Sequence, residues 1–99
     1  MSKPRKRWWG YVRQVLYAYP ELTPGNATEQ REKAAVESAL EELSRSPEGA
    51  ETGKLVAAVF FTRTHTLTGA AMREHMSYRT ARRRQNDFIR MVGRNMGLL

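Results

Sequence analysis

The stretch from Tyr78 to Met96 constrains this chain more than any other. Wound at about 100° per residue with Ala81 as the pole, Gln85, Phe88 and Val92 fall within about 40° of it, and Tyr78 and Met96 within about 60°. Arg79, Arg83, Arg90 and Arg94 fall within about 40° of the opposite pole, with Asn86 beside them and Arg82 on the flank. A helix that is apolar on one side and cationic on the other has to bury the first side. The rest of a 99-residue chain must therefore supply a partner layer, and that length is enough for one domain with one shared core.

The segments upstream read as that layer. Trp8, Val12, Val15, Leu16 and Tyr19 recur at helical spacing, which predicts a helix from Arg7 to Ala18, stopped by Pro20. Glu21 to Gly25 is a loop. Asn26, with Glu29 three residues later, has the form of a capping box, so a second helix is expected over Ala27 to Ser44, with Val36, Ala39, Leu40 and Leu43 on its apolar stripe. Ser46-Pro47-Glu48-Gly49 is a turn. The most apolar run, Leu55 to Phe61, predicts a third helix starting after Glu51 or Thr52 and ending near Thr62, with a buried strand as the competing assignment. Thr62 to Thr66 connects to two further helices, Leu67 to His75 and Tyr78 to Met96. The expected architecture is all-α, about five helices in one domain. It comprises a basic N-terminal arm over 1–7, a helical scaffold over 8–62 and a helix-turn-helix over 63–99.

The charges are segregated along the chain. Residues 1–20 carry +5, residues 21–53 carry −5, and residues 54–99 carry +7, for a net +7. Basic ends around an acidic middle attract polyanions, of which nucleic acid is the commonest in the cytosol; an anionic membrane surface is the competitor. No stretch approaches the roughly 20 apolar residues of a membrane span. The basic start is read as mature protein, because Arg13 and Gln14 break its apolar stretch and no small-residue cleavage site follows. The chain has no cysteine, which excludes disulfides, thiolate zinc sites and thiol nucleophiles, and agrees with a cytoplasmic setting. Two histidines ten residues apart are too few for a metal site. There is no Ser-His-acid set, phosphate-cradling glycine loop or apolar pair of acids. The expectation is no enzyme, no catalytic residue, no cofactor and no metal.

The segment HTLTGAAMREHMSYRTARRRQNDFIRMVGRNMG carries the functional reading. Ser77 is a suitable N-cap for the last helix, through the amide of Arg79 or Thr80. Ala70 and Ala71 are small enough for two helices to cross closely, and Met76 is placed to plug the gap between them. A recognition helix reads base edges with its first turns and meets phosphates farther along, and the arginine fork suits both partners. The residues expected at a duplex are Ser77, Tyr78, Arg79, Thr80, Arg82, Arg83, Asn86 and Arg90. The run Arg82-Arg83-Arg84 taken alone fits a solvated face equally well; its alignment with Arg79, Arg90 and Arg94 favours one cationic line. Trp8, Trp9, Tyr11, Tyr17 and Tyr19 would suit base stacking, but their spacing assigns most of them to packing.

Ala71-x-x-x-x-Met76-Ser77-x-x-Thr80-Ala81 is similar to the helix-turn-helix pattern of sigma factor region 4 and of LuxR-type domains. THTLTGAA, SYRTARR and DFIRMVGRNMGLL, with the opening RKRWWGYVRQVLYAYPEL and the block VFFTRTHTLTGAA, resemble small RinA-like transcriptional regulators of phages and prophages. The resemblance implies a helical protein that binds promoter DNA and controls phage or mobile-element genes, in the bacterial cytoplasm and at the nucleoid. Glu74 departs from the pattern, which has an apolar residue there; it either displaces the first helix of the motif or turns outward. Double-stranded DNA is the expected partner, with RNA polymerase and a second copy of the chain as further ones, the latter through Trp8, Trp9 or the Leu98-Leu99 end. The alternative from another class is an adaptor that docks on RNA polymerase or another nucleoprotein and reads no DNA. The acidic second helix is a contact for such a partner or an ordinary solvated face.

Overall fold

A computed structural model describes residues 7–23 and 25–98 of the chain. The expected arm lies outside the described residues apart from Arg7, as do Pro24 and Leu99. The described residues form helices and no strand, so the strand assignment for the apolar run is excluded. The order is α1 (Arg7–Ala18), a short 3-10 turn (Tyr19–Glu21), α2 (Ala27–Ser44), α3 (Gly49–Val56) running into a π-helical turn (Ala57–Phe61), α4 (Leu67–Arg73) and α5 (Tyr78–Asn95).

Local chemistry sets most of the boundaries. The Asn26 side chain accepts from the Glu29 amide at 2.8 Å and donates to the Glu29 carboxylate at 2.7 Å. This is a capping box whose return bond comes from the Asn side chain rather than the backbone. Thr66 caps α4 by accepting from the Gly69 amide, and Ser77 caps α5 by accepting from the Thr80 amide, each at 3.1 Å. Pro20 falls in the 3-10 turn that follows α1.

Two helix ends differ from the sequence expectation. α3 begins at Gly49 and not after Glu51 or Thr52, because the turn from α2 brings the backbone of Gly49 against the Leu43 carbonyl, where any Cβ would overlap it. α4 stops at Arg73, short of His75. There the chain turns through a left-handed His75 (φ 57°), with His75 N–H bonded to the Met72 carbonyl and Met76 N–H to the Ala71 carbonyl. This pair of bonds is a Schellman closure, with Met76 packing back toward the helix it ends. α5 closes the same way one residue short of Met96, with Gly97 (φ 76°) in the left-handed position and Leu98 N–H on the Gly93 carbonyl.

The core has two parts. The larger joins Trp9, Val12 and Leu16 of α1, Ala35, Val36 and Ala39 of α2, Val56 and Phe60, and Phe88, Ile89 and Val92 of α5. The smaller joins Leu55 and Ala58 to Ala70, Ala71 and Ala81, with Met76 and Leu67 packed against it. Alanines at the α4–α5 crossing let the two backbones approach, as the spacing suggested. Trp8 was expected in the stripe of α1, but Trp9 is the buried indole and Trp8 only partly so, since Trp8 reaches sideways onto Gly93 of α5. Tyr19, Leu40 and Leu43 are likewise half-buried. α5 therefore belongs to both cores: it packs on α4 and is also the central helix against which α1, α2 and α3 pack.

Candidate nucleic-acid interface

Burial of Ala81, Gln85, Phe88 and Val92 fixes the rotation of α5 and so determines what its other face presents. Tyr78, Arg79, Arg82, Arg83 and Arg90 are exposed, and Asn86 is half-exposed. These six line one shallow groove of about 440 Å³ along the first turns of α5, and no carboxylate lines it. Ser77 and Thr80 sit at its head, but their hydroxyls bond each other at 3.0 Å as part of the cap. Ser77 gives its proton to Thr80 while accepting the Thr80 amide and so holds the helix start, and the Thr80 O–H keeps a proton to donate.

The run of three arginines is split. Arg82 and Arg83 point outward, and among the described residues neither makes a salt bridge. Arg84 turns inward: its side chain is only 14 % exposed and its guanidinium lies 3.4 Å from Glu48 and 3.5 Å from Glu51. It ties α5 to the start of α3. The angular count contained the signal, since Arg84 lies only about 60° from the Ala81 pole. Arg90 stays on the cationic line but is shared: it pairs with Asp87 at 3.1 Å and lies 5.7 Å from the Trp9 ring centre. Arg94 is exposed farther along the helix.

Glu74 does not stand free in solvent. It occupies the C-cap position, its N–H bonds the Ala70 carbonyl, and its carboxylate, 12 % exposed, pairs with Arg73 at 3.1 Å. An acid is accommodated here because the residue falls at the end of α4, where its side chain reaches Arg73.

A second cleft, of about 510 Å³, lies on the other side of the same ridge, between α1, the Thr62 to Thr66 connector and α5. Tyr78, Arg82 and Asn86 line both grooves. The second is completed by Arg13, Tyr17 and His65, which sequence reasoning did not assign to any site. Arg13 donates to the Tyr17 hydroxyl at 3.3 Å and lies 5.5 Å from the Phe60 ring centre, while Arg63 lies 4.5 Å from the centre of the Tyr17 ring. The i,i+4 spacing of Arg13 and Tyr17 was the available signal.

The acids of α2 are largely engaged in holding the fold. The Tyr11 hydroxyl donates to Glu32 at 2.5 Å and the Tyr19 hydroxyl to Glu37 at 3.4 Å, docking α1 and its turn onto α2, and Glu41 pairs with Arg45 at 2.7 Å. The hydrogen bond to Glu32, followed by burial, pushes the Tyr11 phenol up to about 12. Burial, with Glu37 beside it, raises Tyr19. Among the described residues no helix is long and apolar enough to cross a membrane. In comparisons with known proteins, the chain matches no family model, no curated protein and no solved structure.

Proposed function

We propose that this protein is a sequence-specific duplex DNA-binding transcriptional regulator that inserts the first turns of α5 into the major groove. The observation that carries the reading is the acid-free groove lined by Tyr78, Arg79, Arg82, Arg83, Asn86 and Arg90. An α-helix about 10–12 Å across fits a major groove about 12 Å wide. Arg forks are bidentate to guanine, Asn to adenine, and Tyr78, half-exposed at the first position of the helix, offers a flat apolar surface to a thymine methyl. Because α5 is also packed in the core, the reading face is presented rigidly and loses little freedom on binding. The likeness to RinA-like regulators suggests phage or mobile-element promoters as the sites, with action at the bacterial nucleoid.

The test is selection of bound duplexes from a random pool, followed by anisotropy titration of the selected site across salt concentrations. A regulator enriches a defined motif and loses affinity steeply as salt rises, as each neutralised phosphate contributes a slope of about −0.9. No affinity for any bare duplex at low salt, together with binding to RNA polymerase, would establish the adaptor reading instead.

A further inference from the structure

We infer that Arg13 of α1, outside the helix-turn-helix, seats a backbone phosphate of the bound duplex in the cleft between α1 and α5; this rests on the duplex-binding reading above. A helix lying in the major groove is bracketed by the two phosphate strands that form the groove walls. The ridge of Tyr78, Arg82 and Asn86 has a groove on each side. One carries Arg79, Arg83 and Arg90 for one strand. The other is the cleft of about 510 Å³ that Arg13 enters from α1, with His65 and Thr66 at its edge and no carboxylate in its lining.

The state of Arg13 supports this role. Among the described residues it makes no salt bridge, although eight glutamates lie between residues 21 and 53. Its guanidinium is held in place by the Tyr17 hydroxyl and the face of Phe60, so little side-chain freedom is lost when it meets an anion. Arg63 approaches the same Tyr17 ring at 4.5 Å from the neighbouring pocket, so two guanidiniums lie against one phenol. The left-handed backbone of Arg63 (φ 55°) lets its side chain turn back over Tyr17. With Arg13 in contact, the footprint of the protein on DNA extends beyond the two helices of the motif to one further phosphate.

The experiment compares wild type, Arg13→Gln and Arg45→Gln, each checked for fold by circular dichroism. Titrations use the selected duplex and a scrambled one between 50 and 200 mM potassium chloride. Arg13→Gln removes the charge together with the guanidinium that lies over Phe60 and bonds Tyr17, so the fold check precedes each titration. The expected result is a salt slope shallower by about 0.9 and a several-fold loss of affinity, equal on both duplexes, with Arg45→Gln unchanged. A loss confined to the selected duplex would show base readout and overturn the inference. An unchanged slope in folded Arg13→Gln, with wild type binding normally, overturns it while leaving the reading of α5 intact. Wild type that binds no duplex overturns both. Inorganic phosphate at millimolar concentration, added at constant ionic strength, distinguishes a phosphodiester seat from a pocket for a free anion: competition with the duplex that is lost in Arg13→Gln is expected, whereas Arg13-dependent phosphate binding that leaves duplex affinity unchanged would show a free-anion pocket and overturn the inference.

Discussion

The six-membered ring of Trp8 lies directly on the backbone of Gly93, so that a Cβ at position 93 would stand 2.9 Å from Trp8 Cζ3 and 3.1 Å from Cε3. This contact is where α1 crosses α5, and it seats α1 beside the cationic helix. Gly93→Ala should gain about 1 kcal/mol of helix propensity and lose about 1–3 kcal/mol to overpacking, for a net destabilisation near 1 kcal/mol. The melting temperature in a thermal denaturation should fall by several degrees. Shrinking the partner should rescue it: Trp8→Leu combined with Gly93→Ala should be less destabilised than the sum of the two single changes. Additive losses would show that the ring swings aside at no cost.

The connector between α4 and α5 carries removable strain at His75. A non-glycine residue in the left-handed region costs about 1–2 kcal/mol, and glycine relieves it at the expense of about 0.5–1 kcal/mol of unfolded-state entropy. Since the Met76 and His75 amides already complete the Schellman pattern, His75→Gly should stabilise the protein by about 0.5–1 kcal/mol. His75→Val, β-branched at the same φ, should destabilise it. Chemical denaturation of the three proteins measures both changes, and duplex affinity should be the same for His75→Gly as for wild type.

How far these features were legible in the sequence depends on whether they were local. The caps at Asn26 and Ser77 and the stop at Pro20 are decided within a few residues, and the structure places them where the sequence does. The face of α5 was legible because its apolar positions repeat over five turns. Gly49 was not, as its reason is the Leu43 carbonyl across a turn. Nor was the exchange between Trp8 and Trp9: two adjacent indoles share the edge of the same stripe, and the notch at Gly93, more than eighty positions away, decides which one stays at the surface. The π-helical turn from Ala57 to Phe61, closed by Thr62 N–H on the Ala57 carbonyl, depends on Phe60 packing on Tyr17 and Phe61 on Tyr19. On α5 the angular pattern separated the exposed Arg82 and Arg83 from Arg84, about 60° from the Ala81 pole, while the partners of Arg84, Glu48 and Glu51, come from a distant segment that only the fold brings near.

That split yields a contrast between neighbours. Arg83→Ala removes an exposed cation with no carboxylate partner among the described residues, so it should leave stability within about 0.5 kcal/mol and weaken binding to a selected duplex at least tenfold. Arg84→Ala should do the reverse. It strips Glu48 and Glu51 of their counter-charge and opens the contact between α5 and α3, for a loss of about 1 kcal/mol in denaturation with duplex affinity little changed. Glu41→Ala, which loses only an exposed pair with Arg45, should change stability by less than about 0.5 kcal/mol and leave binding unaltered. If Arg83→Ala and Glu41→Ala bind a duplex equally well, the cationic line of α5 is a solvated face and the proposed function is wrong.

The docking of α1 on α2 should respond to alkaline pH through Tyr11. Its phenol is raised from 10.0 to about 12, chiefly because it donates to Glu32, a bond that only the protonated phenol can make. A proton held more tightly in the folded state than in the unfolded one contributes stability that is fully present below pH 10 and is lost as the pH rises through the folded value near 12. Tyr11→Phe gives up that contribution at neutral pH, so its stability should fall less steeply than wild type between pH 10 and 12. Glu32→Gln should bring the phenol back toward its ordinary value, because the charge that favoured the proton is gone. Phenolate absorbance in wild type, Tyr11→Phe and Glu32→Gln reads the titration directly: the difference between wild type and Tyr11→Phe should show a tyrosine ionising near pH 12, and that component should move down in Glu32→Gln. Tyr11 is exposed at the surface, so solvent screens the pair and the effect on total stability should be small, a change of slope rather than a collapse. A wild type and Tyr11→Phe with the same stability profile across this range would mean that the Tyr11–Glu32 bond does not persist in solution and that the Tyr19–Glu37 bond and the shared apolar core keep α1 beside α2.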